Sequence, residues 1–279
     1  MSASPRRGAG RRFAGAGAVV TGASRGIGAA IARALSREGL SLLLVGRDDV
    51  RLQEVSAEIA AAGGTASVLV QDLTVPEAPE NVTRAARERL RMPYLLVNNA
   101  GIAMAQRFDR RPPEDWEREL VTDLVAPLRL TYAFLPILLQ QGRGQVVFIG
   151  SASADRPLPR LAVYSGAKAA LRGFGRALDL EVARRGVRVS VVEPVYVRTE
   201  LGRRPSDTEA PLERRAREHP RSVLEPDVVA RAVVRVLHRP RPLVRVPLAW
   251  AVGRVLLGAI DPFLSSRQRL PPPGTRGPS

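Results

Sequence analysis

Tyr164 and Lys168 stand four residues apart in the segment Tyr-Ser-Gly-Ala-Lys, so a helix there puts the phenol and the ammonium on one face. Lys168 is the single lysine among 43 basic residues; all the others are arginine. A lone retained ammonium suggests a position that needs a compact point charge with three donors, not a planar fork. A free phenol has a pKa of about 10, and a neighbouring ammonium favours its phenolate. Tyr164 thereby becomes a usable general acid/base. Ser151 lies thirteen residues earlier, directly after the apolar run Val146 to Gly150, where its hydroxyl can hydrogen-bond a reacting oxygen. Ser153 is the competing hydroxyl, and Ser151 is preferred because it comes first after the strand and has the better spacing.

A second group of residues could hold phosphates. Val19-Val20-Thr21-Gly22 ends an apolar run, and Gly26-Ile27-Gly28 opens a helical one, with Ser24 and Arg25 between them. Gly22 permits a tight turn, Gly26 lets backbone approach a pyrophosphate, and Gly28 lets the helix pack closely on a sheet. The helix start supplies free N–H groups and a favourable dipole. After the next strand the chain reads Gly46-Arg47-Asp48. A ribose 2′-hydroxyl calls for a carboxylate at about Gly46, whereas a 2′-phosphate calls for arginine. Arg25 and Arg47 supply two guanidiniums, which favours NADP(H) over NAD(H). Asp48 is expected to cap the following helix.

The elements that must position these groups are legible as alternation. Apolar runs at 16–20, 41–46, 66–70, 94–98, 145–150 and 187–193 alternate with helical segments near 26–38, 49–62, 77–91, 114–140, 163–185 and 226–238. Strands apolar throughout are expected where helices cover both faces of a sheet. The fold class is therefore α/β, a doubly wound parallel sheet of Rossmann type in a single domain. The expected organisation is a disordered basic tail over 1–13, a catalytic domain over 14–240, a strand at 244–246 and an apolar helix within 241–266, and a disordered tail over 267–279. The helix at 247–264 is interrupted only by Arg254 and Asp261, and it could line a pocket, pack on another subunit or make peripheral membrane contact.

Composition removes other chemistries. There is no Cys, and His219 and His238 are the two histidines, so no metal site is expected. The net charge of +16 is spread over the whole chain with little aromatic interleaving, and reads as an arginine bias, not nucleic-acid binding. Arg11-Arg12-Phe13 followed by apolar residues resembles an export signal. That stretch runs straight into the glycine turn, however, so a cytoplasmic protein is expected.

In order along the chain, Thr21 to Gly28, Asp72-Leu73, Asn98-Asn99-Ala100-Gly101, Ser151 and Tyr164 to Lys168 resemble the short-chain dehydrogenase/reductase superfamily, in its core-length branch. The resemblance implies that Asp72 and Leu73 lie at the adenine and that Asn98, Asn99, Ala100 and Gly101 shape the floor beneath the cofactor. It implies that Ser151, Tyr164 and Lys168 carry hydride-transfer chemistry between a carbonyl and an alcohol, with Lys168 also holding the nicotinamide ribose. Pro194, Val197 and Thr199 match the segment that contacts the nicotinamide carboxamide, and the long helices imply a homodimer or homotetramer.

Two positions depart from the family pattern. Asp123 stands where an Asn commonly helps a proton relay, and it brings a charge near Lys168. Val195 replaces the Gly of a Pro-Gly pair, so the turn must differ or bear strain. Leu180 stands where reductases of carrier-bound 3-oxoacyl chains tend to have arginine. The apolar segment 248–264 points to a lipophilic substrate, and 200–221 occupies the place of a substrate lid.

Overall fold

A computed structural model describes residues 13, 15–201 and 223–247. Seven strands form one sheet: β1 (Gly17–Thr21), β2 (Ser41–Gly46), β3 (Ala66–Val70), β4 (Pro93–Asn98), β5 (Gly144–Ile149), β6 (Val187–Pro194) and β7 (Leu243–Val246). Their order is β3-β2-β1-β4-β5-β6-β7, and every neighbouring pair is parallel. Parallel strands need long crossovers. These are supplied by α1 (Gly26–Arg37), α2 (Asp49–Ala61), α3 (Ala78–Arg89), α4 (Pro113–Leu120) running on into α5 (Ala126–Gln141), α6 (Ala162–Val182) and α7 (Pro226–His238).

Helices α1, α2 and α7 cover one face through Ile31, Leu35, Leu52, Val233 and Leu237. Helices α3, α5 and α6 cover the other through Val82, Phe134, Ile137 and Leu171. Each such side chain taken fully out of water contributes about 1.5–3 kcal/mol, which is why the strands between them carry Val, Leu and Ile on both faces. Winding reverses between β1 and β4, and a doubly wound sheet opens its ligand crevice there, beyond the carboxyl ends of the strands.

Two boundaries differ from the sequence expectation. Phe13 is no part of a solvated tail: it is buried, with its ring centroid 5.9 Å from that of Tyr94 and 5.1 Å from that of His238. One aromatic is enough to pull the chain onto the core ahead of β1. The central helix expected at 114–140 is not uniform either. Residues Val121–Val125 form a π-type turn, in which the Ala126 N–H reaches back to the Val121 carbonyl. The run from Pro113 to Gln141 is 29 residues long and, by composition, apolar enough to cross a membrane, but its Leu130, Phe134 and Leu138 pack on the sheet. The apolar helix expected at 247–264, the substrate-lid segment after Leu201 and the tail at 267–279 lie outside the described residues.

Candidate active site

The glycine turn is fixed to the neighbouring strand by Thr21 and Asn99. The Thr21 hydroxyl donates to the Val97 carbonyl at 3.2 Å and accepts from the N–H groups of Asn99 and Ala100 at 2.9 and 3.1 Å. The Asn99 amide donates to the carbonyls of Thr21 and Gly22 at 2.9 and 3.2 Å. Gly22 turns with φ of 63°, and a Cβ at Gly28 would collide with the Gly22 carbonyl and the Asn99 amide. Helix α1 can therefore start directly against this corner. Its first turn has neither a side-chain cap nor an acidic residue, which leaves its N–H groups for an anion. The residues present fit a dinucleotide pyrophosphate.

The other residues expected at the cofactor have the following surroundings. Ser24, Arg25 and Gly26 line a cleft, while Ile27 turns inward onto the core. Asp72 holds its own loop by accepting from the Thr74 N–H and hydroxyl at 2.9 and 2.8 Å, and the first of these bonds is the main reason its carboxyl lies below the usual range. Leu73 packs at the edge of the core. Asn98 donates to the Thr131 hydroxyl at 3.1 Å, tying β4 to α5. Thr199 lies against Gly26, and Val197 pairs with Leu224 in an isolated parallel bridge.

Arg25 and Arg47 engage different carboxylates. Arg47 extends toward Asp72, with 4.0 Å between charged atoms, whereas the guanidinium nearest Arg25 across the Glu200 carboxylate is Arg51. Arg51 sits in the first turn of α2, whose cap is Asp48, accepting from the Arg51 N–H at 3.2 Å.

Tyr164 and Lys168 lie on one face of α6, both buried, with the ammonium 5.5 Å from the phenol ring centroid. Ser151 stands just beyond β5, near enough to Tyr164 to favour its phenolate. Ser153 stands behind it, donating to the Ser151 hydroxyl oxygen from its own hydroxyl at 2.9 Å and from its backbone N–H at 3.1 Å.

Asp123 projects from the π-type turn, fully buried. One oxygen is 3.0 Å from the Lys168 ammonium and the other accepts from the Ile102 N–H at 3.3 Å. Lys168 also donates a hydrogen bond to the Ile149 carbonyl at 3.4 Å. Gly101 passes so close to the pair that a Cβ there would meet the Asp123 carboxylate.

The electrostatics keep the expected pull of Lys168 on the phenol and set burial and Asp123 against it. Burial pushes Asp123 up to about 6 against the downward pull of Lys168. Burial also raises Tyr164, with Lys168 lowering it and Asp123 raising it. The ammonium therefore does not bring the phenol below its ordinary value here, because desolvation dominates and a carboxylate opposes the lysine. For Lys168 burial is the largest single effect and opposes the charge, but Asp123 and Tyr164 together outweigh it and the ammonium is strengthened.

One feature gave no sequence signal. Arg111 and Glu119 form a buried ion pair at 2.5 Å, and Glu119 also accepts from the Met104 N–H at 2.9 Å, which fixes the loop beside Asp123. Val195 takes no strained turn: among the described residues Arg160 is the one non-glycine at positive φ, and the Val195 N–H continues the ladder to the Val246 carbonyl at 3.0 Å.

Residues 16–210 match the short chain dehydrogenase family. The chain belongs to the short-chain dehydrogenase/reductase superfamily. Within it, the chain is similar to the 3-oxoacyl-acyl-carrier-protein reductase FabG of Escherichia coli, with 35% identity over 70% of this chain and 79% of that protein. Its fold is similar to a short-chain dehydrogenase from Sphingobium yanoikuyae in complex with NADPH, with a TM-score of 0.75 and 31% identity over 93% of this chain and 98% of that one. It is also similar to an alcohol dehydrogenase from the archaeon Thermococcus sibiricus complexed with 5-hydroxy-NADP, with a TM-score of 0.72 and 29% identity over 83% and 95% of the two chains. As a superfamily member the protein is an NAD(P)-dependent oxidoreductase.

Proposed function

We propose that the protein interconverts a carbonyl and an alcohol with NADP(H), using Tyr164 as the proton-transferring group. The observation that carries this is the buried Tyr164, Lys168 and Asp123 cluster close to Gly101, which directly follows the Asn99 and Ala100 that hold the glycine turn. NADP(H) supplies or accepts the hydride. Gly22, Gly26 and the N–H groups opening α1 would hold its pyrophosphate, and arginines at the starts of α1 and α2 its 2′-phosphate. Pro194, Val197 and Thr199, the last lying against Gly26, would contact the nicotinamide carboxamide.

In reduction, Tyr164 gives its phenol proton to the carbonyl oxygen while Ser151 hydrogen-bonds that oxygen. Ser153 keeps the Ser151 hydroxyl turned to the site by donating to it. Lys168 stabilises the phenolate left behind, and Asp123, with a pKa of about 6, is near enough to exchange a proton with the ammonium. In oxidation the phenolate takes the proton instead.

The apolar composition of 248–264 supports a lipophilic carbonyl or alcohol as substrate. The similarity to the 3-oxoacyl reductase supports a second reading, reduction of a carrier-bound acyl chain. Against it, the position of the arginine expected for carrier docking holds Leu180, which is highly exposed on α6. NADPH consumption should be followed with purified protein against a panel of small polar ketones, steroidal, fatty and isoprenoid carbonyls, and 3-oxoacyl thioesters. Turnover of the lipophilic carbonyls is expected; turnover restricted to small polar ketones, or to thioesters, would overturn the substrate assignment.

A further inference from the structure

The segment after β6 is led to the glycine turn by fixed contacts. Arg198 donates its N–H to the Leu224 carbonyl at 2.8 Å, Leu224 donates back to the Tyr196 carbonyl at 2.7 Å, and Thr199 lies against Gly26. The next residue, Glu200, therefore crosses the start of α1. One of its carboxylate oxygens is 2.6 Å from Arg25 and 3.3 Å from Arg51, and the other is 3.5 Å from Arg51. The cleft around it is lined by Ser24, Asp48 and Glu54 as well. Asp48 is already engaged, capping α2 through the Arg51 N–H and lying 3.5 Å from the Arg51 guanidinium.

The three side chains are far from buried, at 55% for Arg25, 40% for Arg51 and 49% for Glu200. Exposed ion pairs of this kind are weak and screened by salt, so a stronger anion can break them. A phosphate monoester carries nearly twice the charge of a carboxylate and three acceptor oxygens, which two guanidiniums can share. Each arginine extends from the start of a helix, α1 after β1 and α2 after the neighbouring strand β2.

We propose that Arg25 and Arg51 form the seat of the adenosine 2′-phosphate, and that Glu200 is an internal competitor for that seat which sets the discrimination between NADP(H) and NAD(H). The proposal rests on the NADP(H) assignment above. NADP(H) must displace the carboxylate to bind, whereas NAD(H), with a hydroxyl at that position, leaves both ion pairs standing. Glu200 consequently weakens the binding of one cofactor and is indifferent to the other.

Dissociation constants for NADPH and NADH, measured by fluorescence titration without any substrate, test this in the wild type and in Glu200→Gln, Arg51→Gln and Glu54→Gln. The last removes an equal charge from the same cleft. From the strength of exposed ion pairs, Glu200→Gln should tighten NADPH by about threefold or more and leave NADH within about twofold. Arg51→Gln should weaken NADPH selectively, and Glu54→Gln should change NADPH less than Glu200→Gln does. If NADPH is preferred but Glu200→Gln leaves it unchanged, tightens both cofactors equally, or is matched by Glu54→Gln, the competitor role is wrong. If NADPH binds no tighter than NADH in both the wild type and Glu200→Gln, the NADP(H) assignment itself fails.

Discussion

Lys168 serves two oxygens with opposite demands: a phenol that must ionise and a carboxylate that lowers the net charge felt by that phenol. Because Asp123 raises Tyr164 electrostatically, removing its charge has a definite sign. Below about pH 6 Asp123 is protonated and the upward push on the phenol is gone; above that pH the push is present. Alcohol oxidation needs the phenolate, so the rising limb of its pH–rate profile should lie at lower pH in Asp123→Asn than in the wild type. Turnover at the optimum should stay within about tenfold, or ~1.4 kcal/mol of barrier. A limb that stays in place or moves up would show that Asp123 does not act on Tyr164 through its charge. Ser153→Ala removes a hydroxyl donor to Ser151 and should lower kcat by roughly fivefold, equivalent to one hydrogen bond of about 1 kcal/mol, with NADPH affinity retained. Tyr164, Lys168 and Ser151 were readable from the sequence because helical spacing, a lone lysine and a strand end each carry physical meaning. Arg51, Arg111 and Glu119 were not, since in a chain so rich in arginine nothing but three-dimensional packing distinguishes one guanidinium from another.

At the scale of elements, the strands were legible because a buried parallel sheet leaves apolar runs, and β2 and β3 fall on the residues that pattern predicted. The π-type turn was hidden because one extra residue in a helix hardly disturbs a hydrophobic period. Pro127, which lacks the N–H that would have bonded to the Asp123 carbonyl, was the available clue. That turn is what points Asp123 at Lys168. The loop carrying Ser151 is anchored from behind by ion pairs across elements: Arg172 on α6 reaches Glu193 on β6 at 2.5 Å and Asp155 at 2.9 Å. Glu193 is fully buried, and burial lifts its pKa against the pull of Arg172. Arg172→Met would leave that carboxylate without its closest cation and should cost about 3 kcal/mol of unfolding free energy, read from denaturant titration. A loss below about 0.5 kcal/mol would mean that the network contributes little, as exposed pairs do.

For the whole molecule, a net charge of +16 opposes compaction, and mobile ions relieve that repulsion. Raising ionic strength from about 0.01 to about 0.15 M, which shortens the screening length from about 30 to about 8 Å, should therefore raise Tm; an unchanged or lower Tm would show that local ion pairs dominate. The long helices α5 and α6 present Tyr132 and Leu180 almost fully exposed, which supports the proposed homodimer or homotetramer, and light scattering on the purified protein is expected to exceed the 30.2 kDa of one chain. The sheet, its helices and the crevice converge on a single phenol, so the decisive measurement is turnover of the preferred carbonyl by Tyr164→Phe, alongside titration of NADPH. Turnover should fall by at least about a hundredfold, the lower bound for losing a positioned acid, while NADPH affinity is retained. A variant that binds NADPH and still reduces the carbonyl at near wild-type rate would contradict the assignment of Tyr164 as the proton donor.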